Sequence, residues 1–209
     1  MADSQQDSKF CILQAAAKLF AKLGLDKCST REIAKESKSN ISAISYHFGG
    51  KEGLYREVMR QCALEIKDHV QMRSTQFGKT IITKNLFKAE MQSLIESLIF
   101  FQVKYPEVSQ IFAREKLTGL KHSKEIHEEI FYPLVKNFIY MFNQAQAAKI
   151  VRPDINPTLF FIMLSEGTWG YFELQKCPTP LLQDLHEFNN NAVNLKNQIY
   201  QIFIEGALL

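Results

Sequence analysis

Several signatures that would mark a chemical function are missing from this sequence. Its four cysteines, Cys11, Cys28, Cys62 and Cys177, are widely scattered. That spacing fits neither a zinc cluster nor a redox pair, so free thiols in a reducing compartment are expected. There is no glycine-rich nucleotide loop, no internal repeat and no nucleophile pattern around a serine or cysteine. Alternating apolar and polar stretches of the strand type are absent, which excludes a β-rich fold. The longest apolar clusters, such as Leu98–Phe101, fall far short of the roughly 20 residues that span a bilayer. The opening MADSQQDSK lacks a basic region followed by an apolar run, so no signal peptide, no membrane and a cytoplasmic location are expected. His122, His127, Glu128 and Glu129 cluster in the chain, but the two histidines are not at the one-face spacing of helical metal ligands. An exposed charged helix is expected there, with no enzyme activity, metal or cofactor.

What the sequence does contain is helical periodicity and an uneven charge. The formal charge of the 209 residues is +3. Residues 1–60 hold ten Lys/Arg against seven Asp/Glu, and residues 61–209 hold fifteen of each. The whole excess therefore sits in the N-terminal quarter, as the footprint of a polyanion-binding segment would.

That quarter reads as three short helices and the start of a fourth. From Phe10 to Leu23 the apolar positions Ile12, Leu13, Ala16, Leu19, Phe20 and Leu23 recur at steps of three and four, predicting an amphipathic helix from near Ser8. Gly24 is placed to end it. Lys9, Lys18 and Lys22 lie off the apolar stripe, on solvated surface. Ser29-x-x-Glu32 is a capping-box pattern that opens a second helix through Ser37, with Ile33 and Ala34 inward. Asn40 is suited to cap a third, Ile41–Phe48, whose buried side is Ile44 and Phe48. Gly49-Gly50 breaks it, and Lys51 begins a long helix to about Thr75. Two short helices joined by a tight turn behind a supporting helix form a helix-turn-helix.

Gly24, Ser29-x-x-Glu32-Ile33-Ala34, Tyr46-His47-Phe48, Lys51-Glu52 and Leu54-Tyr55 together resemble the N-terminal signature of the tetracycline-repressor (TetR) family. The string NISAISYHFGGKEGLYREV resembles the branch with an Asn-Ile-x-x-Ile-x-Tyr-His-Phe-Gly segment. The resemblance covers residues 10–60. It implies an all-α homodimeric regulator of transcription, most often a repressor that binds a palindromic double-stranded DNA operator and is released by a small-molecule effector. It further implies that Thr30, Arg31 and the cap Asn40 lie at the DNA, that Ile41, Ser42, Ala43 and Ser45 face the bases, and that Tyr46, His47 and Lys51 anchor phosphates. From the residues alone, Tyr46 also reads as a core aromatic and His47 as a surface or capping histidine. The sequence departs from the family at Lys38, where the turn usually holds glycine, and at Ser39 and Ser45. A helical protein-interaction module with a degenerate helix-turn-helix is the alternative. No Arg, Asn or Gln follows the cap on the reading face, so bidentate purine contacts are not expected from it.

Beyond residue 84 the chain predicts further helices, over Val108–Leu117, Ser123–Lys149, Asn156–Gln175 and Phe188–Glu205. Two domains are therefore expected, residues 1–55 for DNA binding and residues 56–209 as a larger bundle for effector binding and dimerisation. Ten of the sixteen phenylalanines and the lone tryptophan fall between residues 87 and 172. They read either as plain core or as a pocket for an apolar or aromatic effector, lined by Phe101, Tyr105, Phe112, Phe138, Phe142, Met163 and Trp169 with Arg114, Glu115 and Glu166 as polar groups. Arg114–Glu115 also reads as an ion pair at a domain interface. Thr158–Phe172 is apolar almost all round and must be covered on all sides. Together with the final helix it is expected to form the homodimer contact.

Overall fold

The computed structural model describes residues 2–73, 81–177, 180 and 192–208. It is helical throughout, and among the described residues the only β-type pairing is a single bridge between Val151 and Leu208. The elements are α1 (Ala2–Lys27), α2 (Thr30–Glu36), α3 (Ile41–Phe48), α4 (Lys51–Arg73), α5 (Lys84–Lys104), α6 (Pro106–Leu117), α7 (Lys124–Ile126), α8 (Tyr132–Ala147), α9 (Pro157–Leu174) and α10 (Ala192–Ile199). Wide π-type turns cover His127–Phe131 and Tyr200–Glu205. The all-α expectation is met.

The helix ends follow local chemistry. Gly24 interrupts α1 with φ 79° and ψ 169°, a conformation that suits a residue without a β-carbon. Pro106 opens α6 and Pro157 opens α9, positions where the missing proline N–H costs nothing. Asn156 caps α9, its Oδ1 accepting the Leu159 N–H at 3.0 Å. Three boundaries differ from expectation. α1 begins at Ala2 rather than near Ser8. The predicted helix over Ser123–Lys149 is divided by the π turn at His127–Phe131. Pro133 follows that turn and has no N–H to give the carbonyl of Glu129, which accounts for the local widening. Residues 74–75 of the expected long helix and 188–191 of the expected last one lie outside the described residues.

By compactness the chain forms two units, residues 1–65 with 105–131, and residues 66–104 with 132–209. The first is built from α1, α2, α3, the start of α4, α6 and α7. Its core holds Ile12, Ala16, Phe20, Ile33, Ile44 and Leu54, with Ile111 and Phe112 contributed by α6. Tyr55 meets Phe20 edge-on, their ring centroids 5.0 Å apart. Polar bonds tie the inserted stretch in. Arg114 Nη1 donates to the carbonyl of Phe20 at 2.7 Å. The buried Glu115 accepts the His122 N–H at 2.7 Å and a hydrogen bond from Tyr55. Burial, reinforced by the Glu115 carboxylate, pushes the Tyr55 phenol well up, so it stays protonated. Arg114 and Glu115 thus serve separate partners inside one unit, which corrects the expected ion pair.

The second unit packs α5, α8, α9 and α10 around Phe87, Met91, Ile95, Phe142, Phe160, Leu164 and Ile204. Its rings form a continuous set. Phe138 and Phe142 lie 5.6 Å apart, Phe142 and Phe160 5.0 Å, and Phe160 and Phe203 5.9 Å between centroids. α9 buries Phe160, Leu164 and Thr168 on one side. Leu159, Ile162 and Met163 on its other side are 58%, 46% and 57% exposed. Among the described residues, nothing buries that apolar face of α9.

Candidate nucleic-acid interface

The two short helices α2 and α3 are set by caps. Ser29, with extended backbone, forms a capping box at the start of α2. Its Oγ accepts the Glu32 N–H at 3.2 Å, and the Glu32 carboxylate accepts both the Ser29 N–H at 2.8 Å and the Ser29 hydroxyl at 2.7 Å. These bonds hold the Glu32 carboxyl below its usual range. α3 begins with Asn40, whose Oδ1 accepts the Ser42 N–H at 3.0 Å, and ends on left-handed Gly49 at φ 68°.

The turn between these two helices is a Schellman motif. The Ser39 N–H donates to the Ala34 carbonyl at 2.9 Å and the Lys38 N–H to the Lys35 carbonyl at 3.3 Å. Lys38 occupies its left-handed position at φ 53°. Glycine would sit there freely, whereas a side chain costs about 1 kcal/mol.

α3 is anchored by Ile44 and Phe48 and turns the rest of its surface outward. Asn40, Ile41, Ser42, Ser45 and Tyr46 are exposed, and Ala43 and His47 are half-buried. Tyr46 is 78% exposed, which removes the reading of it as a core aromatic. Its ring touches His47 edge-on at 4.9 Å. On α2, Arg31 is exposed and Thr30 half-buried. The expected reading-face residues are therefore contiguous along one short helix and the neighbouring helix start. Ile41 and Ala43 offer methyl groups to thymine, and Ser42 and Ser45 offer hydroxyls that donate or accept.

Lys51 behaves differently from a free phosphate clamp. Its Nζ donates to the carbonyls of Leu25, Asp26 and Cys28 at 2.8, 3.4 and 3.0 Å. All three ammonium protons are thus committed to the protein. The cation closes the end of α1, where free carbonyls and the helix dipole favour positive charge. It also draws the first turn of α4 against the α1–α2 connection. Gly53, which the sequence reading passed over, is just as constrained. A β-carbon there would stand 1.8 Å from the Phe48 carbonyl oxygen. The sequence carries no mark of this beyond the glycine itself.

The expected effector residues divide between the two units. Tyr105, Phe112, Arg114 and Glu115 belong to the first unit, and the other six to the second. Tyr105 donates its hydroxyl hydrogen bond to Glu65, and Phe112 packs edge-on against His127 and Phe131. Phe138 and Phe142 are in the second unit's core, Phe101 lies 5.3 Å from Trp169 between ring centroids, and Met163 and Glu166 are exposed. A cleft of about 210 Å³ in the first unit is polar, lined by Gly53, Arg56, Glu57, Arg60, His122, Glu125 and Ile126, and includes none of those residues. The histidine cluster is also corrected. His127 points inward, with Nε2 buried and unpartnered, instead of lying on an exposed face. Among the described residues no group of three His, Cys, Asp or Glu is placed to hold a metal, and no helix is long and apolar enough to cross a membrane.

Residues 12–58 match the family model of bacterial regulatory proteins, tetR family. This segment, which contains the capped helices and the exposed face of α3, is what resembles that family, and it makes up less than half of the chain. Among curated proteins, the chain is 26% identical over 135 residues to the HTH-type transcriptional dual regulator CecR of Shigella flexneri, covering 62% of this chain and 60% of that protein. It is 26% identical over 183 residues to the HTH-type transcriptional repressor NicS of Pseudomonas putida, covering 81% and 76%. Among solved structures, the ketosteroid transcriptional regulator KstR2 of Mycobacterium tuberculosis superposes with a TM-score of 0.73 at 18% identity, over 96% of this chain and 95% of that one. The fold is therefore shared across almost the full length of both chains. The matched stretch spans less than two thirds of the CecR relative.

Proposed function

We propose that the protein is a DNA-binding regulator of transcription, a repressor that grips a palindromic operator as a homodimer and lets go when a small apolar or aromatic molecule binds. The observation that carries the DNA-binding part is the face of α3. Its anchor residues are fully used by the core, its two ends are capped, and Ile41, Ser42, Ser45 and Tyr46 stand in solvent with no role in the fold. Thr30, Arg31, Asn40, Ala43 and His47 complete the surface. Lys51 contributes indirectly by fixing the helix start behind it. The functional division is residues 1–55 for the reader and residues 56–209 for effector and partner.

One such helix makes too few contacts for specific binding, and a two-fold pair doubles them on half-sites about one helical turn apart. The open apolar face of α9 supports a second copy as the partner, with Ile202 after α10 also 67% exposed. Small residues favour close approach there, since a β-carbon at Gly170 would meet no atom within 4 Å. An effector in the aromatic second unit would act by favouring a state in which the paired readers no longer match their half-sites. The location of the proposed protein is the cytoplasm.

Selection of bound sequences from a random DNA pool tests the reading. Recovery of an inverted repeat with half-sites one turn apart is the expected result, together with sedimentation as a dimer. Absence of any salt-dependent DNA binding would leave only the interaction-module alternative. Ile162→Glu on α9 is expected to shift sedimentation toward the monomer and to weaken operator binding with it.

A further inference from the structure

We propose that Lys38, in the turn of the helix-turn-helix, is a DNA-phosphate anchor, and that its ammonium is why the chain keeps a strained residue at that position. The inference rests on the DNA-binding reading above. Nothing in the turn's own construction asks for a lysine. The Schellman hydrogen bonds are made by the backbone. The Ser37 hydroxyl donates to the Ile33 carbonyl at 2.8 Å, and the Ser37 and Ser39 hydroxyls meet at 2.7 Å, so the turn is clasped from both flanks. The position itself, with φ 53°, favours glycine.

The side chain is exposed, and among the described residues no hydrogen bond or ion pair engages its ammonium. Two residues further on stands Asn40, the cap of the reading helix, so the cation flanks the end of α3 that leads the reading face. Arg31 and Lys35, four apart on α2, are likewise exposed and without ion-pair partners among the described residues. Glu32 is tied into the capping box, which among the described residues of this edge leaves the acid Glu36 beside the cations Arg31, Lys35 and Lys38. An edge of that sign beside a reading helix fits a phosphate backbone. The competing role for Lys38 is local, as a cation that steadies the C-terminal end of α2.

Three variants of the full chain separate these roles. Binding is measured against a random-sequence DNA duplex over a salt series, and thermal unfolding is followed in parallel. Lys38→Gln keeps the backbone strain and removes the charge. It is expected to weaken binding to all sequences alike and to lower the slope of log affinity against log salt by about 0.9, so that the affinity lost between about 50 and 200 mM salt shrinks by roughly 3.5-fold. Lys38→Gly is expected to show the same loss of binding while melting at a higher temperature than the parent, because glycine relieves the turn. Lys38→Arg is expected to keep the parental slope. An unchanged slope in Lys38→Gln, with lower melting temperature, would assign the lysine to α2 alone and overturn the inference while leaving DNA binding intact. Absence of salt-dependent binding by the parent protein would instead overturn the reading on which the inference stands.

Discussion

The α-hydrogen of Gly53 that a side chain would replace faces the carbonyl oxygen of Phe48 so closely that a β-carbon there would lie 1.8 Å from it. The start of α4 and the end of α3 therefore approach this closely only because residue 53 has no side chain. Gly53→Ala must push the two helix ends apart, at a cost of about 1–3 kcal/mol by the usual scale of overpacking. The melting temperature should fall, and DNA affinity should fall beyond what the loss of folded protein explains, because α3 itself is displaced. An alanine variant with parental stability and binding would show that this approach is looser than described.

Lys51 gives a contrasting expectation. Replacing it with Met removes the donor to three carbonyls but keeps the length of the side chain. Stability should drop by roughly 1–3 kcal/mol, the range for leaving part-buried acceptors unsatisfied. Affinity for DNA should fall for all sequences alike with the salt slope unchanged, since no phosphate contact is lost. A slope reduced by about 0.9 would instead mean that the ammonium leaves its carbonyls and reaches a phosphate.

Tyr46 separates function from folding. With 78% of its surface in solvent, Tyr46→Ala should change stability by no more than about 0.5 kcal/mol. DNA binding should weaken clearly in the same preparation. Chemical denaturation and a binding titration on one sample check both halves.

His127 predicts a pH dependence. Burial, with the Lys116 cation adding to it and Glu115 opposing, holds the imidazole below its ordinary 6.5. The neutral ring is thus the native form, and the unfolded chain takes up the proton first as pH falls. Stability should be unaffected by this group above 6.5 and should decline below that value until the folded-state pKa is passed. His127→Phe, flanked already by Phe112 and Phe131, should flatten that part of the melting-temperature profile. An equally steep acid decline in the variant would place the effect on other groups.

Much of the reading device was visible in the sequence because its rules are local. The Ser29–Glu32 box, the Asn40 cap and the Gly49 stop each act within a few residues, and each is present in the structure. The features that were not visible depend on distant partners. The carbonyls that hold Lys51 belong to residues 25–28, and Arg114 reaches Phe20 across most of a hundred positions of chain. Gly53 is demanded by the crossing of two helices and leaves no pattern of its own.

The aromatic segments show the other limit. Periodicity identifies which side of a helix is apolar, but every phenylalanine from Phe87 to Phe172 satisfies it equally well. It does not identify the helix on the other side. Phe112 consequently belongs to the first unit and Phe138 to the second, although the two read alike in sequence. His127 was misjudged for the same reason. Its charged neighbours Glu128 and Glu129 are exposed, while the histidine itself turns inward at the π turn.

The first unit is sewn from two separate lengths of chain, with residues 105–131 supplying Ile111, Phe112, Arg114 and Glu115 to a core begun by α1. Chain order and structural module therefore disagree. Someone wishing to graft this reader onto another regulator would be tempted to cut just after α3 or at residue 65, and would carry away a head with its back exposed. Phe20 would lose its cover, its carbonyl would lose the guanidinium, and Tyr55 would lose its carboxylate. A portable version needs the second length spliced in, as a chimaera with two junctions more than a simple fusion. The same reasoning makes a nascent chain that has emerged only as far as α4 an incomplete reader, waiting for α6 before its first core can close.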